Sequence, residues 1–250
     1  MYIQKKIKTK HRTFITKSKC FYYNPQKAKG RRGIRRYPTG ESKQERNRRN
    51  ANLKRKYQIY NNFDIGDMWI TLTYNQDNIP KDGKEAHKTL MAALGKLQRK
   101  LKRKNIPLVY YIKTEAGTHC RVHHHLFVKN NFAVIDMLYQ LWRGYGKVKD
   151  FSQIYGMEDG RLVRYFLSGG DHKELNFEKY SHSRNLKEPE IETRILSAKS
   201  FREFPKPPKC DEEGMEYIIE NLTNGYTDID GYTYQEYEIT KRKKSEVQKE

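Results

Sequence analysis

The sequence predicts an α+β fold of the ferredoxin-like (RRM-like) kind, an antiparallel sheet carrying two helices on one face. Strand and helix patterns follow one another as β, α, β, β, α, β between residues 68 and 153. In MWITLTYN, residues 68–75, Trp69, Thr71, Thr73 and Asn75 alternate with Ile70, Leu72 and Tyr74, which is the period of a strand. In residues 84–104, Leu90, Leu94, Leu97 and Leu101 recur at helical spacing, and Asn105 and Pro107 mark the end.

The remaining elements follow in order. Strands are predicted at 108–114 and 121–128, separated by Ala116–Gly117 and able to pair as a hairpin. A second amphipathic helix spans 132–142, stopped by Gly144 and Gly146, and a short strand covers 147–153. A short helix at 158–167 closes at Gly169–Gly170, and a polar, proline-punctuated segment runs to Pro208. A last helix is predicted at 214–222, then a tyrosine-rich hairpin around Asp230–Gly231 and a charged, frayed tail.

Ahead of the first strand, residues 1–38 mix basic and aromatic side chains without a sustained period, which reads as an irregular or partly disordered arm. Residues 41–60 are rich in helix formers, with Leu53, Tyr57 and Tyr60 on a thin apolar stripe. Composition thus separates a basic DNA-binding arm and helix (1–60), a compact domain (61–200) and a C-terminal helix, hairpin and tail (201–250).

Charge follows the same division. The 250 residues hold 51 Lys and Arg against 30 Asp and Glu, a net of +21. Residues 1–60 hold 20 basic and two acidic side chains (+18), and the rest only +3. A field of that density favours a polyanionic partner, nucleic acid before anionic membrane. With so few acids nearby, Arg31, Arg32, Arg35, Arg36, Arg48, Arg49, Lys54, Arg55 and Lys56 are the candidate phosphate contacts. No run of about 18 apolar residues exists, which excludes a spanning helix, and the start MYIQKKIKTK lacks the apolar core of a signal peptide. Cys20, Cys120 and Cys210 are odd in number and far apart, fitting neither a disulfide framework nor a CxxC zinc site. The expectation is a cytoplasmic protein with reduced thiols.

Chemistry concentrates at three consecutive histidines followed by Leu126, Phe127 and Val128. On a strand His123 and His125 share one face and His124 takes the other. Glu115, across the hairpin, can bring a carboxylate beside them. Two nitrogens, one carboxylate and open positions suit Mn²⁺ or Mg²⁺ as a Lewis acid on a phosphate, with Zn²⁺ chemically possible; a metal-free phosphate contact is the alternative. In RLVRYFLS, Leu162, Val163, Phe166 and Leu167 form the apolar stripe, and Tyr165 projects away from it near Arg161 and Ser168. An exposed tyrosine beside a cation is what a nucleophile attacking a phosphodiester needs. Tyr155 and Tyr180 are the other candidates.

The ordered set WITLTYN, EAGTHCRVHHHLFV and RYFLSGG followed by KYSHSRNLKEPE resembles the three motifs of the HUH endonucleases. It looks most like the rolling-circle replication initiators of bacterial plasmids, integrative elements and single-stranded DNA phages, over residues 37–237. The resemblance implies a five-stranded antiparallel sheet, a metal site of His123, His125 and Glu115, and Tyr165 as nucleophile. It further implies nicking of single-stranded origin DNA: metal polarises the phosphate, tyrosine becomes linked to the 5′ phosphate, and the freed 3′-OH primes synthesis by host replication proteins. No nucleotide cofactor and no membrane partner are implied, and no Walker loop indicates a helicase. Relaxases and transposases share this chemistry. The family's third motif reads Tyr-x-x-Lys, whereas Ser168 stands at the lysine position. Arg161 or Lys173 is the expected substitute for that cation; without one, the chain would be a catalytically impaired DNA- or RNA-binding protein.

Overall fold

The structure is a computed structural model of the chain and describes residues 1–20, 40–117, 120–157, 160–168, 179–226 and 233–244. The described residues form an α+β fold with two five-stranded antiparallel sheets and four α-helices. Contacts group the chain into two compact units: Met1–Asn61 with Glu188–Glu250, and Asn62–Lys187.

The second unit holds β3 (Met68–Tyr74), α2 (Gly83–Lys102), β4 (Tyr110–Gly117), β5 (Cys120–Val128), α3 (Phe132–Trp142), β6 (Gly146–Gln153), α4 (Arg161–Leu167) and β7 (Tyr180–His182). Its sheet runs β6-β3-β5-β4-β7. α2 begins at Asp82, whose carboxylate accepts from the Glu85 amide at 2.8 Å, while Glu85 accepts from the Lys81 amide at 2.7 Å. These bonds satisfy amide groups that a helix start leaves without intrahelical partners. α3 begins at Asn131, which caps the amides of Ala133 and Val134.

The apolar stripes of α2 and α3 meet the sheet face formed by Ile70, Leu72, Ile112, Leu126 and Val128. Leu90, Leu97, Leu101 and Trp142 are completely or almost completely buried there. Truncating one such leucine to alanine costs about 2–5 kcal/mol. Helix propensity differs by only about 0.7 kcal/mol or less per ordinary residue, so packing, not propensity, holds α2 on the sheet. Gly146 permits the close approach of β6 to β3, since a Cβ there would lie 1.8 Å from the Thr73 carbonyl oxygen. On the opposite face α4 inserts Phe166 among Trp69, Tyr111, Phe127 and Tyr180.

The first unit holds β1 (Tyr2–Lys8), β2 (Arg12–Lys19), α1 (Gly40–Asn62, ending at the unit boundary), β8 (Glu190–Leu196), β9 (Met215–Tyr226) and β10 (Thr233–Lys243), with strand order β8-β1-β2-β10-β9. The structure corrects three sequence expectations here. Residues 2–19 are a hairpin and not an irregular arm, because Tyr2, Ile7, Phe14 and Ile15 are buried and β1 and β2 pair with the distant β8 and β10. Residues 215–226 are strand and not helix, because β9 pairs along its length with β10, and tertiary pairing overrides the local helix formers of MEYIIENL. Nor do the cations of α1 lack carboxylates: Arg49 pairs with Glu236 and Lys56 with Glu238, both on β10.

Arg12, almost fully buried, bridges Glu220 at 2.6 Å and Glu238 at 2.7 Å, and Phe14 packs on Tyr57 with ring centroids 4.6 Å apart. Counted by unit, the first holds 30 basic and 17 acidic side chains (+13) and the second 21 and 13 (+8). The contrast of +18 against +3 therefore belongs to the linear chain, not to its folded units. Arg31, Arg32, Arg35, Arg36 and the Asp230–Gly231 turn lie outside the described residues. Cys20 and Cys210 are free thiols. Among the described residues no helix is long and apolar enough to cross a membrane.

Candidate active site

β4 and β5 pair so that Glu115 stands opposite His123 and Lys113 opposite His125, which places all four on one face of the sheet. His123 Nε2 and His125 Nε2 are 3.1 Å apart, and Glu115 Oε2 lies 3.2 Å from the first and 3.8 Å from the second. A triangle with those sides has a point about 2.0 Å from every corner, the length of a metal–nitrogen or metal–oxygen bond. The three residues thus fit a divalent ion.

Neighbouring groups orient the rings. His123 donates from Nδ1 to the Arg121 carbonyl at 2.7 Å, leaving the Nε2 lone pair for the centre. His125 Nδ1 meets Thr71 Oγ1 at 3.0 Å, and its ring stacks on Trp69 at 5.0 Å. Such outer contacts fix ring orientation and tautomer in metal sites. The hydrogen bond from His123, then the ammonium of Lys113, holds the Glu115 carboxyl down to about 2, and the same bond to Glu115 raises His123. Burial, then the charge of His123, lowers His125 to about 4.

His124 faces the other way, into the helix-covered core, and is fully buried. The Tyr74 hydroxyl lies 2.8 Å from its Nε2 and the Thr114 hydroxyl 2.9 Å from its Nδ1. Because Tyr74 also donates to the Ala86 carbonyl, the consistent arrangement is a neutral imidazole donating from Nε2 and accepting at Nδ1. Burial lowers its pKa to about 3. A histidine with a lowered folded pKa contributes stability above its unfolded value near 6.5, and that contribution is lost as pH falls toward 3. His125 has the same sign and His123 the opposite one. Urea denaturation should show a loss of roughly 3 kcal/mol from this group between pH 7 and pH 4, and His124→Gln should remove that slope. An unchanged slope would refute the assignment.

Tyr165, 57% exposed on α4, sets its ring edge-on to His125 with centroids 5.7 Å apart. It lines the same cleft of about 760 Å³ as His123 and His125. Val163 and Phe166 form the buried side of α4, and Ser168 Oγ donates to the Tyr165 carbonyl at 2.8 Å. Arg161 is exposed in the first turn of α4, and Lys173 lies outside the described residues. Tyr155 lines a different groove, with Phe132 and Tyr139. The Tyr180 hydroxyl donates to the Leu167 carbonyl at 3.4 Å.

Among the α1 candidates, Arg48 and Lys54 are exposed, Arg55 donates to Asn52 at 2.8 Å, and Arg49 and Lys56 are engaged with β10. Sequence patterning had not singled out Arg121, Lys147 and Lys149, which line the cleft around the histidines. Their signal was present as alternation: Arg121 is two residues before His123, and Lys147 and Lys149 pair with Thr73 and Thr71. Lys113 and Trp69 carried the same signal, sharing a face with Glu115 and with Thr71.

The geometry, a two-histidine, one-carboxylate triangle with an exposed tyrosine in one cleft, lies within a stretch that also has recognisable relatives. No curated protein and no solved structure matches the chain. Residues 67–168, from the start of β3 to the end of α4, match the model of the ORF2-type family of replication-associated proteins, consistent with a rolling-circle replication initiator of the HUH type.

Proposed function

We propose that the chain initiates DNA replication by nicking single-stranded origin DNA through a covalent phosphotyrosine intermediate. The observation that carries this reading is the shared cleft: Glu115, His123 and His125 point three ligand atoms at one spot, and Tyr165 lines the same cavity. Held there, Mn²⁺ or Mg²⁺ would supply Lewis acidity to a non-bridging oxygen of the scissile phosphate. Arg121, Lys147 and Lys149 offer charge to that phosphate and its neighbours. The Tyr165 oxygen attacks phosphorus, the P–O3′ bond breaks, and the phenolic proton ends on the departing 3′ oxygen. The 5′ phosphate remains on the tyrosine, and the 3′-OH is a primer for a host polymerase.

The test is to incubate the full chain with a randomised single-stranded DNA library labelled at its 3′ ends, in Mn²⁺, Mg²⁺ or EDTA. Label should become covalently attached to protein with either metal and not with EDTA. Reversible binding should weaken with salt at a log–log slope near −0.7 per phosphate neutralised. Salt-sensitive binding without adduct under every metal condition would instead identify a non-catalytic DNA-binding protein.

A further inference from the structure

The cation at the third motif has moved. Lys113 is 1% exposed in the middle of β4, on the face that carries Glu115 and the two histidines. Its ammonium pairs with Glu115 Oε1 and donates to the carbonyl of Ser168 at 2.5 Å. Ser168 is the residue at which the resemblance calls for lysine, and its backbone closes α4 three positions after Tyr165. One buried cation therefore joins a ligand of the candidate metal site to the end of the helix that presents the candidate nucleophile.

We propose that Lys113 is a positioning residue that supplies from the sheet the cation missing at position 168, fixing the C-terminal end of α4, and with it Tyr165, against Glu115. The proposal rests on the nicking reading above. Several observations support it. A lysine at helix C-terminal carbonyls interacts favourably with their partial charge. A buried ammonium is retained only when its charge is compensated, and Glu115 provides that compensation. Tyr180, which pairs with Lys113 across β4 and β7, donates to the preceding carbonyl, Leu167, so adjacent sheet residues secure the same helix end. Arg161 sits at the other end of α4, where it cannot bridge these groups in the same way.

The test is single-turnover adduct formation with the 3′-labelled library in Mn²⁺, alongside reversible DNA affinity and thermal stability. Lys113→Met should slow the covalent step by about 100-fold, the penalty for a reacting group displaced by about 1 Å, while leaving DNA affinity within about twofold. Lys113→Arg should retain at least about a tenth of the rate. Ser168→Lys should raise the Lys113→Met rate by at least about tenfold and leave the otherwise native chain unchanged. Should Lys113→Met not fold, Ser168→Lys alone decides: an unchanged rate supports the proposal, and a gain of about tenfold or more shows that the cation's role is vacant and overturns it. A Lys113→Met rate close to the native one would also overturn it while leaving the nicking reading intact. No adduct from the native chain would overturn both.

Discussion

Tyr165→Phe should abolish covalent attachment of the 3′-labelled strand while leaving fold and DNA affinity unchanged. The substitution removes one oxygen from a ring more than half exposed, and surface changes of that kind stay within about 0.5 kcal/mol. The ring's contacts with His125 and Trp69 survive, since phenylalanine preserves them. If the phenolic oxygen forms the bond to phosphorus, no other group can replace it, and adduct yield should drop by about 10⁴-fold or more, to background. Denaturing gels and mass mapping of the modified peptide make the measurement. Tyr155→Phe and Tyr180→Phe provide the contrast, because Tyr155 lies in another groove and Tyr180 serves the end of α4. A native adduct yield from Tyr165→Phe would move the nucleophile elsewhere.

His123→Ala/His125→Ala should remove metal-stimulated cleavage and lower Mn²⁺ affinity by more than about 100-fold, since loss of outer-shell partners alone costs about 10–100-fold. Proton release supplies a second readout. At neutral pH Glu115, held near 2, and His125, held near 4, are already deprotonated, whereas His123 is raised by its bond to Glu115. A bound ion must displace the proton from His123. Metal affinity should therefore fall as pH drops below the raised His123 value, with at most one proton released near neutral pH. Calorimetry in buffers of different ionisation enthalpy counts it. Full Mn²⁺-dependent cleavage by the double variant would overturn the metal assignment.

The candidate site was partly legible before any fold was known. Alternation along β5 puts His123 and His125 on one face and His124 on the other, because a strand has a period of two. The apolar stripe of α4 likewise sets Tyr165 outward. Glu115 was legible as a neighbour across a hairpin, although only the pairing of Glu115 with His123 specifies which carboxylate oxygen reaches the centre. Lys113 was not legible as a bridge. Its link to Ser168 spans 55 positions and exists only because α4 packs back on the histidine-bearing face.

The N-terminal strands escaped sequence reading for a related reason. Tyr2, Ile7, Phe14 and Ile15 sit among lysines with no sustained local period, and the partners that make them strands, β8 and β10, lie near the other end of the chain. The C-terminal strand β9 misled in the opposite sense, since Glu216, Ile218, Ile219 and Glu220 suit a helix until β10 pairs with them. Charge behaved alike. Arg49 and Lys56 look available for phosphate along the chain, yet β10 brings Glu236 and Glu238 to them.

By itself the sequence determined the strand–helix order of the second unit, the face on which each histidine lies, and the exposure of Tyr165. All of these are near-neighbour properties, set by periodicity and by the few residues that end each element. Only the tertiary structure decided that the two ends of the chain build one sheet, which cations of α1 are paired, and that Lys113 joins Glu115 to the end of α4. Those outcomes depend on burying matching surfaces from distant segments, where several kcal/mol of packing and buried pairing override local preferences of less than one.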